Sequence, residues 1–283
     1  MSIRLALVVS CFCLVHICAA QSPRLIIRAD DMGMSHATNI ACIKSYTEGI
    51  ATSVEVMVPT PWFLEAAAML ARHPDYDAGI HLVLTSEWSN LKWRPLTHAP
   101  SLVDSNGYFY PTIWKGSLEF PSLHDHQPNF AEAEQELRRQ IETARRHIPR
   151  LSHISTHMGF DHSHPALKEI VERLSREYRL PISKGQAEID FPAQENMRSD
   201  QPKKRVRAFI QSLNQLEQGK TYLFVCHPAL DADDMESINT PTYPNVRKDR
   251  HADFSILTSK KVRRALKKKD IRLVSAAGAL KAD

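Results

Sequence analysis

Short apolar runs recur along this chain, and each is followed by a segment with helical spacing. The candidate strands are Leu25–Ala29, Ser53–Val58, Ala78–Leu84, His153–His157, Leu180–Ser183, Tyr222–Cys226 and Ile271–Val274. Helical patterns fall at 36–48, 62–72, 129–148, 164–178, 201–217 and 256–268. The clearest carries Leu137, Ile141, Ala144 and Ile148 at helical spacing, behind a capping-box-like start of Asn129 and Glu132. Strands separated by helices pair in parallel, with the helices covering the sheet. Seven strands in 283 residues predict an α/β fold of the (β/α) barrel type, seven-stranded or distorted. A doubly wound open sheet is the alternative. No Gly-x-Gly-x-x-Gly follows any strand, which counts against a dinucleotide site. No repeat or second domain interrupts residues 21–283.

One stretch breaks the alternation. Residues 85–128, after the third strand, hold Trp88, Trp93, Tyr108, Phe109, Tyr110 and Trp114, several prolines and a turn at Asn106-Gly107. A long loop excursion of this kind is either a binding loop or a packed surface feature with its own small core.

Residues 1–20 have the layout of a secretory signal peptide. A basic start at Arg4 is followed by the apolar run Leu5–Ile17 and by small residues ending at Ala20. The run is shorter than the roughly 20 residues a bilayer span requires, and no later window reads as a membrane helix. The expectation is an exported protein, periplasmic or secreted, beginning at Gln21. Three of the five cysteines leave with that segment, and Cys42 and Cys226 read as buried free thiols rather than a disulfide.

Lys and Arg total 36 against 32 Asp and Glu, too mild a bias for nucleic-acid binding. The run from Arg263 to Lys269 reads as a solvated helix face. The distinctive count is 14 His, and their placement matters more than their number.

In parallel α/β proteins ligands bind at the carboxyl ends of the strands. The first strand here ends in Asp30-Asp31, the third carries His81, the fourth reaches His157, and the sixth ends in His227-Pro228. His153, Ser155 and His157 share one face of the fourth strand. His153 and His157 stand about 13 Å apart along it, so only one of them can join a common ion, and His157 is nearer the carboxyl end. Asp161, His162 and His164 fall in the following loop, with Ser163 as the expected cap of the next helix. His98, His124, His126 and His147 read as solvated. One Asp and two His form a site for a divalent ion, Zn²⁺ or alternatively Mg²⁺, Mn²⁺ or Fe²⁺. Of the two adjacent Asp residues, one can bind the ion while the other takes a proton.

These motifs resemble the YdjC-like (ChbG-like) carbohydrate deacetylase family. The resemblance rests on Arg24–Gly33 with Ser35, on Gly49–Ser53, and on Gly79-Ile-His-Leu82 with Leu84-Thr85. It continues through Ser152–His157 and Val225-Cys-His-Pro228. It implies a (β/α) barrel enzyme that removes acetyl groups from N-acetylated sugars with one divalent ion, Zn or Mg, with Mn, Co or Fe as further candidates. Carried over by position, it makes Asp31, His81 and His157 metal ligands and Asp30 the general base. His227 becomes a general acid or substrate contact. The chain departs from the family pattern at Arg28, where Asn is common, and at Ser155 and Gly159, where the family has a carboxylate and a second His. Arg28 is expected to pair with Asp30 or Asp31. Rival readings are another metal-dependent esterase or phosphoesterase on the same scaffold, and an exported sugar-binding protein without turnover.

Overall fold

The computed structural model describes residues 21–117, 120–148, 150–183, 188–192, 197 and 199–280. The expected signal peptide lies outside the described residues. Strands and helices alternate from the start: β1 (Arg24–Met32), α1 (His36–Thr47), β2 (Ser53–Val56), α2 (Phe63–Ala71) and β3 (Ala78–Leu82). After a long connection come α3 (Phe130–His147), β4 (Leu151–Thr156), α4 (Pro165–Tyr178), β5 (Glu188–Asp190) and α5 (Pro202–Ser212). The chain continues through β6 (Thr221–Cys226), α6 (Val246–Leu257), α7 (Lys260–Lys268), β7 (Arg272–Leu273) and α8 (Ala276–Ala279). Among the described residues no helix is long and apolar enough to cross a membrane.

All strand pairs are parallel, in the order β4-β3-β2-β1-β6-β5. β7 joins the start of β1 at Arg24 and Leu25, and β2 pairs with β1 from Arg28 onward. The seven-stranded expectation holds, but the barrel does not close. The sheet is open and curled, with no pairing between its two outer ends among the described residues. The segment predicted as the fifth strand also differs. Leu180–Ser183 contributes only a single bridge, Ile182 to Ile154 beside β4. The fifth strand is instead the three-residue Glu188–Asp190, which pairs on the far side with β6.

Side chains on a strand alternate between faces, and here the two faces differ sharply in chemistry. Leu25, Ile27, Ala29, Val54, Val56, Ile80, Leu82 and Ile154 join the helices in one large apolar core. Beneath the opposite face, Ile26 and Leu223 pack with Ala276 and Ala279 of α8 in a small apolar floor. Above that floor the same face turns polar. Register places Arg28 beside Ser53, Glu55 beside Gly79, and His81 beside Ser155. Glu55 and His153 are fully buried there and bond each other at 2.6 Å, so His153 serves this pair and does not join Asp31, His81 and His157. Burial favours a neutral carboxyl, but the charge and hydrogen bond of His153 outweigh it and hold Glu55 down at about 2.

Among the described residues, the connection from β3 to α3 contains two short 3-10 turns, at Pro100–Leu102 and Leu123–His126. Trp88, Trp93, Phe109 and Tyr110 are buried in it, whereas Trp114 is exposed. Its backbone is held by α3: Glu136 accepts from the N–H groups of Leu96 and Thr97, and Gln140 bonds both N–H and C=O of Val83. The segment is thus a packed excursion, and its inner edge also reaches the site described below. One local expectation is corrected. The cap of α4 is His164, whose Nδ1 accepts from the N–H of Ala166, while Ser163 bonds back to the carbonyl of Phe160. Cys42 and Cys226 are free and buried, as expected.

Gly79 sits directly under the Glu55–His153 pair. A Cβ there would lie 2.3 Å from Glu55 Oε2 and 2.5 Å from His153 Nε2. Neither group can retreat without losing its buried partner. Gly79→Ala is therefore expected to cost about 1–3 kcal/mol of stability, read as a lower midpoint in urea unfolding. An unchanged midpoint would show that the polar face has slack.

Candidate active site

Adjacent residues on a regular strand point to opposite faces, so Asp30 and Asp31 should diverge. They do not, because β1 carries one extra residue at this point. Ala29 pairs with Val54 and Met32 with Val56, three steps on one strand against two on the other. The bulge is taken up at Asp31, whose φ of 67° lies in the left-handed region. Asp tolerates that conformation better than most residues. As a result both carboxylates approach the same imidazole: His81 Nε2 is 3.7 Å from Asp30 Oδ2 and 3.7 Å from Asp31 Oδ1.

His157, at the end of β4, completes the cluster, with Nδ1 3.4 Å from Asp31 Oδ1. The backbone turns sharply after it through Met158 and Gly159, both at positive φ. Asp31, His81 and His157 are all buried, and one ligand atom from each lies within 4.8 Å of the others. Atoms bound to one ion at about 2.0–2.2 Å are expected to be about 3–4 Å apart, so the spacing suits a shared divalent cation. Asp31 Oδ1 is also a buried oxygen with no hydrogen-bond partner. An orphaned carboxylate oxygen facing two imidazoles matches the donor set of a cation site.

The surrounding residues orient this cluster. Arg28 grips Asp30 with Nε at 2.8 Å from Oδ1 and Nη2 at 2.9 Å from Oδ2, the expected ion pair. Arg250, on α6, donates from Nη2 to Asp31 Oδ2 at 2.7 Å. Burial would raise the Asp31 carboxyl, yet Arg250, His157 and His227 together hold it well below the usual range. Burial pulls His81 down to about 4, which keeps its ring neutral and its lone pair free to bind. His157 is different: burial opposes its charge, but Glu87, 3.0 Å from Nε2, and Asp31 on the other side push it up to about 10. The pocket is one that draws positive charge between its carboxylates.

His227 follows β6 and is fixed by its backbone N–H, which donates to Asp253 at 2.9 Å. It lines the same cleft as Asp31 and His157, a space of about 410 Å³ walled by Trp88, Phe120, Tyr243 and Arg250. All five expected site residues therefore converge on one rim. Asp161 does not join them; it accepts from Thr156 Oγ1 at 2.5 Å, and His162 is exposed. Glu87, Arg250 and Glu55 were not foreseen. Glu55 had a signal, a lone charge alternating with valines in Ser53–Val58. Arg250 had none.

Known proteins share the sequence pattern and the fold of this chain. The pattern of the YdjC-like protein family matches residues 24–268. A Geobacillus stearothermophilus protein named carbohydrate deacetylase is 30% identical over 217 residues, 72% of this chain and 78% of its own. An Enterococcus faecalis crystal structure, named for cellobiose-phosphate cleavage, superposes with a TM-score of 0.72 at 24% identity, covering 90% of this chain and 98% of that one. A chitin deacetylase from Colletotrichum lindemuthianum shares the fold at a TM-score of 0.50 and 13% identity, covering 90% of this chain and 86% of its own. With its Asp-Asp strand end, its two imidazoles and a family pattern that spans nearly all the described residues, the chain belongs to the YdjC-like protein family.

Proposed function

We propose that this protein is a metal-dependent carbohydrate deacetylase that hydrolyses the acetamide of an N-acetylated sugar. The observation that carries the reading is the meeting of Asp31, His81 and His157 around one point, with a second carboxylate, Asp30, beside them. Relatives named carbohydrate deacetylase support the substrate class. One Asp oxygen and two imidazole nitrogens would hold the ion, a set suited to Zn²⁺ and open to Mg²⁺, Mn²⁺, Co²⁺ or Fe²⁺. An ion held there supplies polarisation of the acetyl carbonyl and acidification of water.

The protein's own groups do the rest. Asp30 Oδ2 faces the cluster and takes the proton of the attacking water, while Arg28 fixes the direction of that oxygen. The water oxygen first adds to the acetyl carbon, and the C–N bond breaks afterwards, giving acetate and a free amine. An amine leaves poorly unless protonated, and His227, on the wall of the cleft, gives it that proton. Arg250 keeps Asp31 pointed inward. Trp88 and Tyr243 present ring surface to the sugar.

Asp30→Asn is expected to retain one bound ion per chain and lose roughly 10²–10⁴ in kcat, measured as acetate released from N-acetylated oligosaccharides. Full activity in that variant would remove Asp30 as the base. His227→Ala should lose a similar factor in kcat and keep the ion, whereas Asp31→Asn should lose the ion itself. Asn is the right probe there because it also tolerates the left-handed backbone of Asp31. Treatment with a chelator should abolish acetate release, and added Zn²⁺ or Co²⁺ should restore it. Release of phosphate instead of acetate from phosphorylated sugars would move the reaction to the phosphoesterase class.

A further inference from the structure

His81 must present Nε2 to the cluster, and something must hold its other nitrogen. Nδ1 lies 2.8 Å from Ser155 Oγ, its neighbour across the β3–β4 pair. The serine has one hydroxyl proton, and that proton is already committed: Oγ donates to Glu55 Oε2 at 2.5 Å. Ser155 can therefore only accept from His81, which places the ring proton on Nδ1 and leaves Nε2 as the free lone pair. Glu55 is itself immobilised. Its other oxygen is held by His153 Nε2 at 2.6 Å and Ser53 Oγ at 3.0 Å. His153 in turn bonds Ser152 Oγ at 2.7 Å, which donates to Asp77 at 2.5 Å. The chain of contacts runs across β2, β3 and β4, and Glu55, His81, His153 and Ser155 within it are all buried.

We propose that Glu55, acting through Ser155, is a positioning residue that fixes the tautomer and ring orientation of His81 for metal binding. A carboxylate on β2 thus acts on an imidazole of β3, with a serine hydroxyl of β4 carrying its effect the remaining distance. This inference rests on the metal-site part of the proposed function and needs no knowledge of the sugar. It also assigns different nitrogens to the two imidazoles. Glu87 holds His157 by Nε2 and turns Nδ1 inward, while Ser155 holds His81 by Nδ1 and turns Nε2 inward.

The test is Zn²⁺ affinity, measured by competition with a chromophoric chelator, together with ¹⁵N spectra of the His81 ring in metal-free protein. Ser155→Ala should weaken Zn²⁺ binding by about 10–100-fold and shift His81 from a pure Nδ1–H tautomer to a mixture. Glu55→Gln is the second variant should Ser155→Ala fail to fold. The double variant Glu55→Gln with Ser155→Asp returns a carboxylate to β4 and should recover most of the affinity. An unchanged affinity and tautomer in Ser155→Ala would overturn the proposal, as would a folded double variant no tighter than Ser155→Ala. A wild-type chain that takes up no divalent ion would overturn it together with the deacetylase reading. A wild-type chain that binds Zn²⁺, loses affinity in Ser155→Ala and releases no acetate would uphold this relay and reject the deacetylase alone.

Discussion

The site depends on one extra residue in β1. Without the bulge at Asp31, the alternation of side chains would send one of the two adjacent carboxylates into the apolar core, where it would be an unpaired buried charge. With it, one carboxylate faces the two imidazoles and the other stands beside it. The residues that fall into place around this turn come from distant parts of the chain. Arg250 reaches Asp31 from α6, and Arg28 closes on Asp30 from the same strand. Each guanidinium offsets a negative charge that burial alone would not tolerate.

The second constraint is the polar face of the sheet. Parallel sheets normally bury apolar side chains on both faces. Here one face carries Arg28, Glu55, His81, His153 and Ser155 in contact, all nearly excluded from solvent. Such a layer is stable only when every member has a partner, and that requirement ties register to chemistry. A one-residue slip of β4 would send Ser155 and His153 to the wrong face and strand Glu55. Gly79 is the spacer that leaves room for the pair above it. The apolar floor from α8 closes the layer below, and the cleft opens above.

Much of this was legible in the residues. The strands stood out because buried parallel strands read as apolar runs, and His81 stood out as an imidazole inside one. His157 was separable from His153 by strand length alone. The open sheet was not legible, since apolar runs mark strands but do not encode whether the two outer strands of a sheet meet. Glu87 and Arg250 were hidden for a different reason. Their partners, His157 and Asp31, lie 70 and 219 positions away, and no local pattern marks a contact of that range. Glu55 lay between these cases, visible as a charge in a strand but meaningless until its neighbours on β3 and β4 were known.

The two thiols flank β1 on its core side, Cys226 Sγ 3.4 Å from the carbonyl of Arg28 and Cys42 Sγ 4.0 Å from that of Asp30. Burial, with nearby carboxylates, pushes both thiols upward. A thiol held protonated and sealed from solvent is a poor nucleophile. The two sulfurs are packing neighbours of the Asp30–Asp31 turn and not reactive groups of the cleft. Alkylating reagents should therefore spare both thiols, even though sulfur sits directly behind the Asp30–Asp31 turn.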